Sequence, residues 1–381
     1  MTPVEMIAKL CSFDTVSAKS NLELIHYVRD YLAGFGVESH LVANGDGSKA
    51  NLYATIGPMA EGGVVLSGHT DVVPVEGQDW HTDPFAVVER DGRLYGRGTA
   101  DMKSFPAIAL ALVPEMVARG LKRPVHLALS YDEEIGCLGA PSMIAEMAAN
   151  LPKAEAVFVG EPTEMRIVTA KKGMAAYETR VTGHEAHSSQ PHRGTSAVMA
   201  AARLIAFLDR MMRENRDRAD PASPFEPPYT TLTSGLVRGG TAMNILAREC
   251  VFHWDLRFIP GENAAMFRDR FDAKAAEILA EMRAIAPECD IQTTAFADAP
   301  ALKPEPDGAA EQLARKLTGH NATHVVSYAA EAGQFQEGGF SVVMCGPGSI
   351  DQAHQPNEFI ELSQVEAGVA FMRRLIDHLA A

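Results

Sequence analysis

The chain has few cysteines, and their spacing provides no pairing signal. Five occur among 381 residues, and no two of them form a CxxC pair. An odd and scattered set argues against a secreted fold held together by disulfide bonds. We therefore expect a protein of the reducing cytoplasm. The cysteines are Cys11, Cys137, Cys250, Cys289 and Cys345.

Long apolar runs and an excess of basic residues are also missing. No run approaches the ~20 residues of a membrane-spanning helix. Residues 1–6 begin without a basic segment followed by an apolar core, so we expect an amphipathic helix there and no signal peptide. The net charge of −15 argues against nucleic acid or an anionic membrane as partner. The 46% hydrophobic content and the length fit a soluble globular protein with room for two domains.

Strand-like and helix-like stretches alternate from the start of the chain to about Gly173. Helix signals cover residues 21–33 and 103–119, and Pro114 should kink the second of these helices. Such alternation predicts βαβ units and an α/β fold whose mixed sheet is largely parallel and flanked by helices. The alternation resumes after about Asp298. We therefore predict one discontinuous α/β domain, formed by residues 1–173 and 298–381.

The pattern between these two segments is different. It predicts strands at 174–181, 229–237, 249–258 and 289–296, with helices at 195–212 and 262–285. The order β-α-β-β-α-β is that of a ferredoxin-like unit. Residues 174–297 are therefore predicted to form an inserted α+β domain.

Residues that commonly bind metals follow several of the apolar strands. His69 ends one such run, Glu134 and Glu161 follow two others, and His354 follows a fourth through a glycine turn. Asp101 lies in the glycine-rich turn 96–101. Because ligands bind beyond the carboxyl ends of parallel strands, these side chains are expected to share one site.

The donor set is richer than a single catalytic zinc requires. Two imidazoles and three carboxylates, without a thiolate, suit Zn²⁺, Co²⁺ or Mn²⁺. A catalytic zinc usually has three protein ligands, whereas five suit two cations about 3.5 Å apart that share a carboxylate. We expect Asp101 to be the shared ligand, with His69 and Glu161 on one cation and Glu134 and His354 on the other.

Two further acids lie next to these ligands in the sequence. Asp71 follows His69 by two residues, so its carboxylate could accept the second imidazole N–H on an extended segment. Glu133 precedes Glu134, and the two cannot face the same way in an extended chain. We assign Glu133 as the general acid/base that takes a proton from water and returns it to a leaving amine.

Six strings spread along the chain resemble the aminoacylase/carboxypeptidase family of two-metal amidohydrolases. The resemblance covers essentially the whole chain, and the strings follow the family order and spacing. It implies a catalytic α/β zinc domain with an inserted lid or dimerisation domain, and a homodimer. The strings are SGHTDVVP (67–74), GRGTADMK (96–103), DEEIGCLGA (132–140), GEP (160–162), GHEAHSSQPHRGTSA (183–197) and AHQPNE (353–358).

The resemblance also implies roles for residues outside the predicted metal cluster. His187 would reach across the dimer and stabilise the oxyanion, to which a placed donor contributes ~3–4 kcal/mol. Asn244 and Arg257 would hold the substrate α-carboxylate, since the planar guanidinium fork suits a carboxylate. Glu331 would lie near the metals or bind the substrate amine. Taken without the resemblance, His187 would be interpreted as a loop histidine in a polar, Ser-rich turn. Asn244 could equally be a turn residue and Arg257 a member of a strand-end ion pair.

The expected reaction is hydrolysis of an N-acyl amino acid. Within the family, the strings at 239–247, 255–262 and 327–339 resemble those of members that deacetylate N2-acetyl-L-ornithine. The resemblance implies this substrate and a part in arginine biosynthesis. An N-succinyl-diaminopimelate, another N-acyl amino acid or a dipeptide would use the same ligands. A metal-binding regulatory protein without catalysis is a remote alternative, because the base and all five ligands are present.

Overall fold

The computed structural model describes residues 1–381. The strands are β1 (Ser39–Ala43), β2 (Ala50–Ile56), β3 (Val64–His69), β4 (Val88–Arg90), β5 (Arg93–Tyr95), β6 (Val125–Ser130), β7 (Ala156–Pro162), β8 (Ile167–Lys171), β9 (Gly173–Thr182), β10 (Thr231–Gly239), β11 (Glu249–Phe258), β12 (Asp290–Ala299), β13 (Thr323–Val326), β14 (Val342–Gly346) and β15 (Phe359–Glu361).

Ten α-helices lie before, between and after these strands. They are α1 (Pro3–Cys11), α2 (Leu22–Ala33), α3 (Ser104–Ala111), α4 (Val113–Arg119), α5 (Ala140–Asn150), α6 (Ala197–Asp217), α7 (Ala264–Arg283), α8 (Ala309–Thr318), α9 (Ala332–Glu337) and α10 (Leu362–Ala380). None of them combines the length and the apolar character that crossing a membrane requires.

The chain divides into two compact units. The first comprises Met1–Ala170, Leu302–Val325 and Ala330–Ala381, and the second comprises Lys171–Ala301 and Val326–Ala329. The sequence-derived limits for the insertion were 174 and 297, and the short segment at 326–329 was not foreseen as part of it.

The first unit is built on an eight-stranded sheet in the order β1-β2-β6-β3-β7-β14-β8-β13. Its central pairs, β6/β3, β3/β7 and β7/β14, are parallel, whereas β1/β2, β2/β6 and β14/β8 are antiparallel. Central strands such as β3 and β6 are buried along their whole length, which their continuous apolar runs require. The predicted mixed, largely parallel α/β sheet is confirmed.

One helix prediction in this unit is corrected. The single kinked helix expected at 103–119 is two helices, because the regular helix stops at Ala111 and restarts at Val113. Pro114 occupies the first turn of α4, where its missing N–H and fixed φ are tolerated. The proline therefore begins a new helix.

The second unit has the predicted element order β9-α6-β10-β11-α7-β12. Its four strands form an antiparallel sheet in the order β10-β11-β9-β12. Burial alternates along β11, so one face of the sheet packs on a core and the other is open. Trp254 belongs to that core, where its ring stacks on Tyr177 with centroids 4.2 Å apart and its indole N–H donates to Thr179 Oγ1 at 3.0 Å.

Candidate metal centre

The carboxyl ends of three adjacent strands carry the first part of the site. β6, β3 and β7 are neighbours in the first unit, and their ends bring Glu134, His69 and Glu161 to one edge of the sheet. A glycine precedes two of these ligands. A Cβ at Gly160 would lie 2.0 Å from the Phe105 ring of α3, and one at Gly68 would lie 2.8 Å from Met102 Cε. The glycines therefore allow α3 to pack against the strand ends that bear the ligands.

Five side chains at this edge form two clusters that share Asp101. His69, Asp101 and Glu161 form one buried cluster, and Asp101, Glu134 and His354 form the other; within each, the potential ligand atoms lie within 4.8 Å of one another. Asp101 Oδ1 is 3.1 Å from His69 Nε2, whereas its Oδ2 is 3.4 Å from His354 Nε2. The two oxygens of one carboxylate thus face two different histidines, which is the arrangement a bridging ligand requires.

The electrostatics of this edge favour a cation. Burial, followed by neighbouring charges, raises the pKa of Glu133 to about 8 and that of Glu134 to about 7, and it raises the pKa of Glu161 well above its ordinary value. Hydrogen bonds to Asp101 and Glu134 raise the pKa of His354 to about 10. Buried carboxylates at this density are stable as anions only when cations compensate them.

The donor set itself fits divalent cations. Imidazole nitrogen and carboxylate oxygen suit Zn²⁺ and Co²⁺. Glu161 Oε1 is buried and has no hydrogen-bond partner, as expected for an oxygen that faces a cation site. His69 and Asp101 are likewise buried, whereas the side chain of His354 is 57% exposed, so the second cluster opens to solvent.

Glu133 and Glu134 are neighbours in the chain but make different contacts. Glu134 Oε2 lies 3.0 Å from His354 Nε2 and belongs to the second cluster. Glu133 belongs to neither cluster; its Oε2 is 4.0 Å from His69 Nε2 and its Oε1 accepts from Cys137 Sγ at 3.2 Å. A carboxylate beside the ligand atoms, but outside both clusters, is free to carry a proton.

The contact expected for Asp71 is corrected. His69 Nδ1 donates to the backbone carbonyl of Asp71 at 2.9 Å, while the Asp71 carboxylate lies farther away, at 3.7 Å. That carboxylate accepts instead from Ser17 Oγ at 2.7 Å and from the backbone N–H groups of Glu133 and Glu134 at 3.1 and 3.2 Å. These three donors hold the Asp71 carboxylate away from the imidazole of His69. Through the two backbone N–H groups, the carboxylate orients the turn that carries Glu133 and Glu134.

Glu331 is buried close to the first cluster. It is 1% exposed and accepts from Ser67 Oγ at 3.3 Å, and Ser67 precedes His69 by two residues on β3. Burial raises the pKa of Glu331 to about 6, and its charge is among the causes that raise the pKa of Glu161. Of the two positions considered for Glu331, the structure places it near the metal ligands.

The second unit brings two of its three predicted site residues together. His187 pairs with Ile245 in an isolated β-bridge, and Ser188 N donates to the Asn244 carbonyl at 3.0 Å. His187 is exposed and its Nδ1 lies 2.7 Å from Ser189 Oγ. His187 and Asn244 therefore sit on adjoining loops.

Arg257 lies apart from that pair. It is near the far end of β11, and at 3.2–3.4 Å per residue it is roughly 25 Å along the strand from the end near Asn244. Its Nε contacts both carboxylate oxygens of Asp255, at 3.0 and 3.2 Å. One chain therefore does not bring Asn244 and Arg257 onto a single substrate carboxylate.

A buried ion pair behind the Asp101 turn was not predicted from the sequence. Arg97 Nη1 donates to Glu358 Oε2 at 2.7 Å, and the two side chains are 1% and 0% exposed. The clue that the sequence offers is the glycine-rich turn, because its backbone N–H groups need hydrogen-bond acceptors once they are buried. No local pattern reveals that a glutamate more than 250 residues away supplies one.

This fold and these clusters define a metal-dependent hydrolase. The chain belongs to the peptidase family M20/M25/M40, whose family model matches residues 65–378. The matched region contains all five predicted cation ligands and Glu133. Family membership confirms the resemblance to metal-dependent amidohydrolases that the sequence strings indicated.

Known relatives extend the match over nearly the whole chain. An acetylornithine deacetylase of Pasteurella multocida (strain Pm70) is 32% identical over 369 residues, which cover 96% of this chain and 94% of the relative. An acetylornithine deacetylase of Myxococcus xanthus is 33% identical over 388 residues, which cover 98% and 96%.

Solved structures share the fold at lower identity. An M20 family metallo-carboxypeptidase from Sulfolobus solfataricus superposes with a TM-score of 0.78 at 18% identity, covering 99% of both chains. A dinuclear metal-binding peptidase of the M20 family from Bacillus subtilis superposes with a TM-score of 0.66 at 16% identity, covering 99% of this chain and 97% of that one.

Proposed function

We propose that the chain hydrolyses N2-acetyl-L-ornithine to L-ornithine and acetate, with two divalent cations, Zn²⁺ or Co²⁺, as cofactors. The observation that carries the proposal is the shared Asp101, with Glu133 beside the two clusters but in neither. Two relatives above 30% identity bear the name of this deacetylase. The product links the reaction to arginine biosynthesis, and the odd, scattered set of five cysteines supports a reducing, cytoplasmic location.

The chemistry follows from the side chains at the sheet edge. When bound, a pair of divalent cations lowers the pKa of water and polarises the acyl carbonyl. Glu133 accepts the proton of the attacking water, since its raised pKa suits a base that must later act as an acid. Asp71 holds Glu133 in place through the backbone N–H. Glu133 then gives the proton to the leaving amine.

We propose that the working form is a homodimer in which His187 serves the partner's centre. β10 is an edge strand of the four-stranded sheet, and Val237 and Leu236 on it are 51% and 38% exposed. An open edge with apolar side chains is suited to pairing with the same edge of a second copy. Asn244, which adjoins His187, would then enter the same partner site.

A comparison of four substrates tests the proposed specificity. We expect kcat/KM for N-acetylornithine to exceed that for N-succinyl-diaminopimelate and N-acetylmethionine by about tenfold or more, since unpaired polar groups in a fitted pocket penalise the wrong substrate. A preference for the succinyl substrate would assign the chain to desuccinylation, and a preference for N-acetylmethionine to general aminoacylase activity. A dipeptide serves as the fourth substrate and tests peptidase activity.

Mixing two inactive variants tests the role of His187. After subunit exchange, Glu133→Gln and His187→Ala chains form mixed dimers in which one centre has both an intact base and a partner histidine. We expect recovery to about a quarter of wild-type activity, because half of the dimers are mixed and each has one complete centre. Each variant exchanged with itself is the control. If mixed dimers form but have no activity, His187 either acts in the site of its own chain or has no catalytic role.

A further inference from the structure

One buried carboxylate binds the backbone of the turn that carries Asp101. Glu358 Oε1 accepts from the N–H groups of Ala100 and Asp101 at 2.8 and 3.0 Å. Its Oε2 accepts from the N–H of Gly98 at 3.1 Å and from Arg97 Nη1 at 2.7 Å. Four donors thus converge on a side chain that solvent does not reach. Backbone N–H groups that converge in this way form an anion-binding concavity, which here is filled by the protein's own glutamate.

Arg97 of this ion pair is also connected by hydrogen bonds to the segment that carries His354. Arg97 Nη2 donates to Gln78 Oε1 at 2.6 Å, and Gln78 Nε2 donates to the carbonyl oxygen of His354 at 2.8 Å. Trp80 covers this link, with its ring centroid 5.1 Å from the Arg97 guanidinium and its Nε1 donating to Gln78 Oε1 at 3.1 Å. A continuous path of hydrogen bonds therefore joins the backbone of Asp101 to the backbone of His354.

The two clusters differ in how much they depend on this path. In the first cluster His69 and Glu161 lie on buried strands of the central sheet, which fix them independently. In the second, His354 lies on a loop with φ of 63° and its side chain is largely exposed. No strand therefore fixes the position of His354 relative to Asp101. The hydrogen bond from Gln78 to the His354 carbonyl holds it there.

We propose that Glu358, Arg97 and Gln78 are positioning residues for the cation ligands. Glu358 holds the backbone of Asp101, which both cation sites share. Gln78, linked to Glu358 through Arg97, fixes His354 relative to Asp101 and thereby sets the affinity of the second cation site. None of them touches a ligand atom; they act on the backbone of the ligand residues. The proposal rests on the two-cation centre of the proposed function and is independent of the substrate. A buried ion pair that served only the fold would affect the free energy of unfolding without selecting one cation site over the other.

Calorimetric titration of the cation-free protein with Zn²⁺ tests the role of Gln78. In Gln78→Ala we expect the first binding step to be unchanged and the second to weaken about 10- to 100-fold, the range typical when groups that orient metal ligands are removed. Gln355→Ala is the matched control, because Gln355 follows His354 directly but donates to the Asp351 carbonyl instead. The absorption spectrum of the Co²⁺-loaded protein should change for Gln78→Ala and stay as wild type for the control.

Glu358→Gln provides a second test. Because Asp101 belongs to both clusters, we expect both binding steps to weaken in this variant. If it fails to fold, Gln78→Ala alone decides. A wild-type isotherm and Co²⁺ spectrum for Gln78→Ala would overturn the positioning role. Wild-type protein that binds fewer than two cations would instead overturn the centre itself, so the two failures are distinguishable.

Discussion

Replacing Glu133 with glutamine is expected to lower kcat by about three orders of magnitude while the protein still binds both cations. Positioned acid–base groups contribute roughly 10²–10⁴ in rate, and Glu133 has two proton transfers to perform. Glutamine keeps the size of the side chain but can neither accept the proton from water nor return it to the amine. Since Glu133 lies outside both ligand clusters, its replacement removes no predicted ligand.

The neighbouring Glu134→Gln variant is the matched control for this result. It also removes one carboxylate from the same turn, but Glu134 contacts His354 and belongs to the second cluster. We expect it to lose cation binding at that cluster together with activity. Cation content measured by atomic emission, alongside kcat and KM, separates the two variants. A Glu133→Gln enzyme with more than about a tenth of wild-type kcat would contradict the base assignment.

Replacing Asp101 with alanine is expected to abolish binding at both cation sites and to reduce activity at least about 10³-fold. The reason is geometric, since Asp101 offers one oxygen towards each histidine and belongs to both clusters. Without it each cluster retains only two protein ligands, fewer than the three that catalytic zinc sites usually use. The activity lost is that supplied by the cations themselves.

Thermal unfolding with and without added Zn²⁺ checks this prediction independently of turnover. A cation that binds only the folded protein raises its stability, so the wild-type melting temperature should rise with Zn²⁺ and that of Asp101→Ala should not. Asp269→Ala, at an exposed helix position, is the control and should respond like wild type. An Asp101→Ala protein that retains a two-step Zn²⁺ isotherm would rule out the shared ligand.

The strand-end ligands could be predicted because their signal is local. Apolar runs that end in His69 or Glu161 mark strand termini, and parallel strands bring their termini to one edge. The proton acceptor of His69 could not be predicted, since it depends on where the backbone of the 133–134 turn lies relative to Asp71. The alternation of residues along the chain contains no information about that placement.

The missed residues depend on contacts between distant parts of the chain. Glu358 meets the Asp101 turn across more than 250 residues, and its neighbours in the sequence give no hint of that acceptor role. The adjacency of His187 and Asn244 likewise follows from one β-bridge between loops 58 residues apart (245 − 187). Such pairings become visible only when the tertiary structure fixes both partners.

The sharing of Asp101 also determines the charge of the centre. Three ligand carboxylates, those of Asp101, Glu134 and Glu161, give −3 with neutral histidines. Two divalent cations then leave +1, and an ionised Glu133 brings the sum to zero, whereas a single cation leaves −2 with Glu133 ionised. By this count of the ligands and Glu133, a half-loaded centre would repel a substrate carboxylate, whereas full loading would neutralise these groups. Cation supply would thus control substrate capture as well as the chemical step.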